Sequence, residues 1–202
     1  MIALVDYGVG NLFSLESSFR AIDQAVTVTA DPEIIRKADK ILLPGVGAFE
    51  DAARKLRKSG LDQLLTEQAN NGKPLLGICL GMQLLFEKSY EYGEHAGLGL
   101  IPGQIRPLSQ VVPPDYKIPH IGWNGLNMEK DSPLFSGISQ GDQVYFVHSY
   151  FADNCHDSVI AWTEYGAKVT AAVAKDNVFG CQFHPEKSGN IGLQILRNFA
   201  QL

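Results

Sequence analysis

The stretch that decides the fold is Leu75-Leu76-Gly77-Ile78-Cys79-Leu80-Gly81, followed by Met82, Leu85 and Phe86 at helical spacing. A short apolar run bounded by turn residues is typical of a buried strand. At its end a cysteine lies between two glycines, each two residues away, and a helix follows. This is the nucleophile-elbow pattern, in which a sharp strand-to-helix turn exposes a nucleophilic side chain. Glycine suits both flanks because larger side chains would clash in so tight a turn.

Strand-like and helix-like segments alternate on the N-terminal side of this elbow. Strands are indicated at residues 2–5, 26–29 and 41–43, and helices at residues 12–22, 32–38 and 56–69. Asp31-Pro32 supplies an N-cap with proline at the first helical position, and Asn70-Asn71-Gly72 supplies a helix stop. The alternation predicts an α/β fold with an open, mostly parallel or mixed sheet and helices on both faces.

The C-terminal half is richer in strands, which we expect at residues 101–108, 144–147, 159–163, 169–174 and 178–183. The Met82, Leu85 and Phe86 spacing predicts a helix after the elbow, and a final helix is expected over residues 189–202. We find no internal repeat and no linker, and interpret residues 110–115 as a surface loop. The chain is therefore expected to form a single domain over residues 1–202.

The composition is that of a globular protein. Of the 202 residues, 45% are hydrophobic and 19% are charged, and the formal net charge is -5, so no basic field favours nucleic acid. No apolar run is long enough to span a bilayer, and the first residues, which meet Asp6 at once, are interpreted as a strand rather than a signal peptide. Three cysteines without a C-x-x-C pair favour neither disulfides nor a metal site, and indicate a reducing cytoplasm.

Cys79 is the candidate nucleophile. The predicted turn brings its sulfur to a helix N-terminus, where unpaired N–H groups and the helix dipole favour a thiolate. The alternative is an inert buried cysteine, a common fate of free thiols. The elbow alone does not decide between these two interpretations.

A base and an orienting carboxylate are available in His184-Pro185-Glu186, just after a predicted strand. Such a loop can project over the carboxyl ends of a sheet, and Glu186 is close enough to fix the imidazole tautomer. Together with Cys79 this is the arrangement of an activated nucleophile. A surface histidine beside a proline turn is the alternative.

Pro44-Gly45-Val46-Gly47 follows the strand at residues 41–43. Two glycines around one valine allow backbone N–H groups to turn outward. With the amide of Leu80, the residue after the nucleophile, they are candidates for an oxyanion hole. The alternative is a plain strand-ending turn.

Taken together, these segments resemble the class I (triad) glutamine amidotransferases, and the resemblance covers essentially the whole chain. It is carried by residues 6–12, 44–49, 77–86, 119–124, 145–150 and 182–188. The resemblance implies an elbow-type α/β fold and a glutaminase with Cys79 as nucleophile, His184 as general base and acid, and Glu186 as orienting carboxylate. It implies an oxyanion hole at Val46 and Leu80, L-glutamine as substrate, and no cofactor or metal.

The resemblance also implies the following substrate-binding residues: Gly47, Gln83, Glu91, Ser149 and Tyr150. It further implies a heterodimer in which ammonia passes to a cyclase subunit of (β/α)₈ fold. Asn11, Trp123 and Lys187 are the candidate partner contacts, with a core tryptophan as the alternative for Trp123. His120 and His148 are interpreted as structural.

Three other functions remain open at this point. A related glutaminase could feed an amidine-forming enzyme of surface-polysaccharide synthesis. A chain of this fold could also be a non-catalytic binding module, against which the intact Cys79, His184 and Glu186 argue. A cysteine peptidase is the third possibility, although Gln83 suits a small amide better than a polypeptide.

Overall fold

A computed structural model describes all 202 residues of the chain. The α-helices are α1 (Leu12–Ala21), α2 (Pro32–Lys37), α3 (Phe49–Ser59), α4 (Leu61–Asn70), α5 (Leu80–Leu84) and α6 (Gly189–Gln201). The first seven strands are β1 (Ile2–Val5), β2 (Val26–Thr29), β3 (Lys40–Leu43), β4 (Leu75–Ile78), β5 (Phe86–Ser89), β6 (His95–Ala96) and β7 (Ile101–Pro107). The other seven are β8 (His120–Gly125), β9 (Asn127–Met128), β10 (Gln143–His148), β11 (Tyr150–Asp153), β12 (Val159–Glu164), β13 (Lys168–Lys175) and β14 (Val178–Cys181).

The central sheet has eight strands in the order β2-β1-β3-β4-β14-β13-β12-β9. The five strands from β2 to β14 are parallel, and β13, β12 and β9 continue the sheet antiparallel. A four-stranded sheet (β11-β7-β5-β6) and the β8–β10 pair complete the fold. The predicted α/β class with a mixed, mostly parallel sheet is confirmed.

The core lies on both faces of the central sheet. Successive side chains of a strand point to opposite faces, so Ala3 and Val5 join a cluster with residues of α2, α3 and α4, whereas Ile2 and Leu4 join one with residues of α1 and α6. Both faces of a parallel sheet must be covered in this way. None of the helices combines the length and the apolar character needed to cross a bilayer.

Two helix predictions are corrected by the structure. The single helix expected over residues 56–69 is two helices, α3 and α4, separated by Gly60 at φ 74°, a left-handed conformation that ends α3. The helix expected from Met82 onward is the five-residue α5, and strand β5 begins at Phe86. Phe86 pairs with Ile101 of β7, so sheet formation overrides the helical spacing there.

The strands also fix where a site can form. Because β1, β3, β4 and β14 are parallel neighbours, the loops after them meet at one edge, where ligands of open α/β sheets usually bind. These loops contain the segments that the sequence analysis singled out after residues 5, 43, 78 and 181.

Candidate active site

Cys79 occupies the predicted elbow between β4 and α5. Its backbone has φ 55° and ψ -113°, a strained conformation for a residue with a side chain. The Cys79 N–H donates to the Cys181 carbonyl at 2.7 Å, which ties the turn to the neighbouring strand. A Cβ on Gly81 would lie 1.9 Å from the Leu43 carbonyl oxygen. Glycine at this position therefore lets α5 start directly against β3.

His184 and Glu186 are held together beside Cys79. The His184 Nδ1 donates to Glu186 Oε1 at 2.8 Å, because a carboxylate can only accept, and the other ring nitrogen is left available to Cys79. Both side chains are almost fully buried, at 3% and 1% exposure. The second carboxylate oxygen, Glu186 Oε2, is buried with no hydrogen-bond partner, so the imidazole is the only group that compensates this carboxylate.

The protonation of His184 follows from these contacts. Burial by itself disfavours the imidazolium, but the hydrogen bonds and negative charges of Cys79 and Glu186 outweigh it and raise the pKa of His184 to about 10. A protonated imidazole between a sulfur and a carboxylate is the partner that a cysteine nucleophile needs, and it is also a ready proton donor for a leaving group.

The Cys79 sulfur has two further polar neighbours. The Val147 carbonyl oxygen lies 3.9 Å away and accepts from the thiol, and the Gln182 Nε2 lies 3.8 Å away on the donor side. Sequence reasoning missed Gln182. A signal for it exists, since Gln182 is two residues before His184 and so shares its side of an extended segment.

The sulfur opens into a cavity of about 630 Å³. All of the residues predicted to bind the substrate line it: Gly47, Gln83, Glu91, Ser149 and Tyr150. Gln83 is 5% exposed, and its Nε2 donates to the Tyr150 carbonyl at 3.2 Å and to Gln182 Oε1 at 3.0 Å. The buried end of the cavity is therefore lined with fixed polar groups, as expected for a site that orients a small polar ligand.

Glu91 has a second contact that sequence reasoning did not foresee. Its Oε2 accepts from the backbone N–H of Phe49, the first residue of α3, at 2.6 Å. Partial burial raises the pKa of Glu91, while this hydrogen bond acts in the opposite direction. Glu91 thus joins the 630 Å³ cavity to the helix that follows the predicted oxyanion loop.

The two residues predicted for the oxyanion hole also border the cavity. Leu80 is the first residue of α5, and Val46 is half-exposed in the loop after β3. Val46 and Gly47 line a second cavity of about 450 Å³ as well. Gly47 has φ +91°, and no atom lies within 4 Å of the position of a Cβ. The loop therefore has space on both sides and a residue that tolerates unusual backbone conformations.

Trp123 is exposed rather than part of the core, at 51%. It lies opposite Tyr145 in the β8–β10 pair, with ring centroids 5.9 Å apart, and the Lys187 ammonium lies 5.7 Å from the Tyr145 ring centre. Lys187 also lines the 630 Å³ cavity. Asn11 precedes α1 and makes no side-chain cap for it, so this polar side chain is not engaged in capping its own helix.

His120 and His148 form a buried pair. The His120 Nδ1 and the His148 Nε2 lie 3.0 Å apart, the His148 Nδ1 donates to the Tyr150 carbonyl at 2.8 Å, and the His120 Nε2 lies 2.9 Å from the Asn124 Oδ1. Burial lowers the pKa of both, that of His148 to about 3. Burial likewise raises the pKa of the Cys155 thiol to about 11. Neutral, internally bonded groups of this kind support packing rather than acid–base chemistry at neutral pH.

Comparison with known proteins places this geometry in a family. Residues 3–202 match the glutamine amidotransferase class-I family. The chain belongs to this family, as the motifs predicted.

Within it, the chain is 49% identical over 203 residues to imidazole glycerol phosphate synthase subunit HisH of Caldanaerobacter subterraneus subsp. tengcongensis, covering 100% of this chain and 98% of that protein. The HisH subunit of Lactococcus lactis is 50% identical over 201 residues, covering 99% and 98%. These relatives place the chain among the HisH subunits, and a protein named as a subunit implies a partner chain.

Solved structures support the fold alone. A crystal structure of a glutamine amidotransferase aligns with a TM-score of 0.77 at 15% identity, covering 100% of both chains. The structure of PurLQS from Thermotoga maritima aligns with a TM-score of 0.73 at 20% identity, covering 99% of this chain and 97% of that one.

Proposed function

We propose that this chain is the glutaminase subunit of an imidazole glycerol phosphate synthase. It hydrolyses L-glutamine to glutamate and ammonia and passes the ammonia to a partner subunit. One arrangement carries this function: a buried sulfur, imidazole and carboxylate lie together, and Cys79 and His184 line a cavity of about 630 Å³. Full-length relatives named as HisH subunits support the choice of synthase.

The proposed reaction starts with attack of the Cys79 thiolate on the amide carbon of glutamine. The oxyanion that forms is held by backbone N–H groups at Val46 and Leu80, and one such donor is typically worth about 3 kcal/mol of barrier. His184 gives its proton to the departing ammonia, leaving a thioester on Cys79. His184 then takes a proton from water, which cleaves the thioester, and Glu186 keeps the imidazole oriented through both steps.

The amino-acid end of glutamine is held by the remaining cavity residues. Glu91 offers the carboxylate that a substrate ammonium requires, and Gln83 offers an amide fixed by the Tyr150 carbonyl. Gly47, Ser149 and Tyr150 border the same space and contribute backbone and hydroxyl groups. Rotation of the Val46 peptide is the proposed on/off step, for which the space on both sides of the loop provides room.

The proposed partner is a cyclase subunit of (β/α)₈ fold. It combines the ammonia with a phosphorylated ribulosyl-aminoimidazole carboxamide and yields imidazole glycerol phosphate and an aminoimidazole carboxamide ribotide, a step of histidine biosynthesis. Ammonia must travel shielded from water because in water it is mostly protonated and then is no nucleophile. Three free cysteines support a reducing cytoplasm as the setting.

Exposed apolar side chains near the cavity support a docking surface for this partner. Ile121 and Trp123 are two residues apart in β8, so they share one face of the strand, and they are 58% and 51% exposed. Val46 and Ile118 are also exposed, and both line the cavity. Exposed apolar patches are characteristic of protein interfaces, and large aromatic side chains are frequent anchors within them. Asn11 and Lys187 are proposed to add polar contacts at the same edge of the sheet.

Replacing the nucleophile tests the function. Cys79→Ala in the assembled complex should abolish glutamine-dependent synthesis and leave ammonia-dependent synthesis nearly intact, because the cyclase chemistry lies in the other subunit. Cys155→Ala, which removes a remote thiol, is the matched control and should retain both activities. Loss of both activities in Cys79→Ala would contradict this division of labour. Co-purification with an amidine-forming enzyme instead of a cyclase would redirect the same chemistry to surface-polysaccharide synthesis.

A further inference from the structure

Gln182 is a fully buried amide at the nucleophile. It is 0% exposed, and its backbone N–H donates to the Ala171 carbonyl oxygen. Its side chain has two partners, the Cys79 sulfur at 3.8 Å and the Gln83 Nε2 at 3.0 Å. A buried primary amide is costly unless it is hydrogen-bonded, and here both of its ends bond to residues of the candidate active site.

The direction of this amide can be deduced from its neighbours. The Tyr150 carbonyl can only accept, so the Gln83 atom 3.2 Å from it is the NH₂ group. The same NH₂ group faces Gln182 and therefore meets its carbonyl oxygen, Oε1. The remaining end of Gln182, its NH₂ group, must then point at the Cys79 sulfur.

We propose that Gln182 is a catalytic residue of the glutaminase reaction, donating an N–H to the Cys79 thiolate while its carbonyl fixes the amide of Gln83. This rests on the function proposed above. The sulfur has two polar neighbours with opposite preferences. The Val147 carbonyl accepts a hydrogen bond from the protonated thiol, whereas the Gln182 NH₂ group donates one to the thiolate. A hydrogen bond to an ionised acceptor is about twice as strong as a neutral one, so Gln182 favours the reactive form.

The choice of an amide has a chemical consequence. A glutamine side chain donates hydrogen bonds but does not transfer a proton near neutral pH. Gln182 therefore holds the negative charge of the sulfur without competing with His184, which remains the proton source for the leaving ammonia. The fixed Gln83 NH₂ group also leaves the Gln83 carbonyl oxygen free for the N–H groups of a substrate in the cavity.

Three glutamine-to-methionine variants separate the effect of Gln182 on the Cys79 sulfur from the effect of Gln83 on substrate binding. Gln182→Met removes both the sulfur contact and the Gln182 partner of Gln83. Gln83→Met removes the substrate-facing amide and the partner of the Gln182 carbonyl but keeps the Gln182 NH₂ group that faces the sulfur. Gln68→Met replaces a buried glutamine of α4 that does not line the cavity. Each variant is assayed in the full-length chain for alkylation of Cys79 by iodoacetamide at neutral pH, located by mass spectrometry. Glutamine hydrolysis is then measured in the complex with the partner.

Loss of the sulfur contact should slow alkylation of Gln182→Met about tenfold, lower kcat by a similar factor and raise KM. Gln83→Met should raise KM while Cys79 is alkylated at close to the wild-type rate. Gln68→Met should change neither quantity. Alkylation needs no glutamine, so it measures the effect of Gln182 on the sulfur separately from glutamine hydrolysis. A wild-type complex that fails to hydrolyse glutamine would refute the proposed function and with it the catalytic role, whereas a wild-type alkylation rate in Gln182→Met would refute only the role of Gln182.

If Cys79 in a folded Gln182→Met chain is alkylated at the wild-type rate, the proposal is overturned, because the amide then has no effect on the sulfur. Melting temperatures of all variants verify that they fold. If Gln182→Met does not fold, Gln182→Asn replaces it, since it shortens the side chain by one methylene and withdraws the donor from the sulfur while remaining an amide. Unchanged alkylation of that variant would overturn the proposal equally.

Discussion

Replacing Glu91 by alanine tests how the loop before α3 is anchored. Residue 48, at the N-cap position of α3, is alanine and offers no side-chain cap, and the Phe49 N–H is bonded by Glu91 from another part of the chain. A lost helix cap costs about 1 kcal/mol, and a carboxylate at a helix N-terminus adds about 0.3–1 kcal/mol. Glu91→Ala should therefore lower the free energy of unfolding by about 1–2 kcal/mol.

In a chain of this size 1 kcal/mol corresponds to about 2–4 °C in melting temperature, so a fall of about 2–8 °C is expected by thermal denaturation. Glu91→Gln keeps an acceptor for the Phe49 N–H and loses only the charge, and about half of the fall is expected. Ala48→Ser provides the matched rescue. Ala48 has φ -88° and ψ 140°, the extended geometry of an N-cap, so a serine there can accept from the first turn of α3.

The double variant Glu91→Ala with Ala48→Ser should regain about 1 kcal/mol of stability. Its KM for glutamine should stay as high as that of Glu91→Ala, because the cavity still lacks the carboxylate. An unchanged melting temperature in Glu91→Ala would refute the capping role. Recovery of KM by the serine would show that Glu91 acts on the substrate only through the helix.

Three other perturbations have defined outcomes. Glu186→Gln removes the charge that favours the His184 imidazolium and allows an amide to face the ring, so kcat for glutamine hydrolysis should fall about 10³–10⁴-fold. Burial of neutral His148 contributes stability that is fully present above its unfolded pKa of 6.5 and is lost as pH falls toward about 3, so acidification from pH 6 to pH 5 should cost about 1 kcal/mol through this group. Trp123→Ala should change stability by less than about 0.5 kcal/mol, because the side chain is exposed, and should weaken partner binding by about 1 kcal/mol or more.

Each of these outcomes has a direct check. A Glu186→Gln enzyme with nearly wild-type kcat would mean that the carboxylate does not orient His184. The acid sensitivity should decrease in His148→Asn, whose amide can still donate to the Tyr150 carbonyl, and an unchanged pH slope in that variant would contradict the assignment to His148. A large fall in melting temperature for the isolated Trp123→Ala chain would contradict its place on the surface.

Much of the fold could be predicted from the sequence because its signals are local. Buried parallel strands are short apolar runs closed by turn residues, and β1, β3 and β4 could be located in this way. The elbow was equally recognisable, since a Cβ on Gly77 would clash with Gly81 and Met82 of the same turn, although the space at Gly81 is limited by Leu43 of the adjacent strand. The prediction of one helix over residues 56–69 failed because it passed over a local signal: Gly60 takes the left-handed conformation that commonly ends a helix, and a second helix starts at Leu61.

The secondary sheets were harder to predict, since their strands are defined by partners far away in the chain. Phe86 follows helical spacing, but it pairs with Ile101 in the sheet. The strands β8 and β11 pair with β10 and β7 respectively, and neither carries a sustained alternating pattern. In such segments pairing and burial decide the conformation, and local propensity does not.

The sequence by itself identified Cys79, His184 and Glu186 as the proposed reactive groups, and it determined the class of fold that brings them to one sheet edge. Only the tertiary structure decided which other side chains reach that chemistry. Gln182 meets the sulfur because β14 lies beside β4, and Glu91 meets the N-terminus of α3 because two distant loops converge. A motif records the residues that a local turn requires, whereas a hydrogen bond across the sheet depends on where the whole chain places both partners.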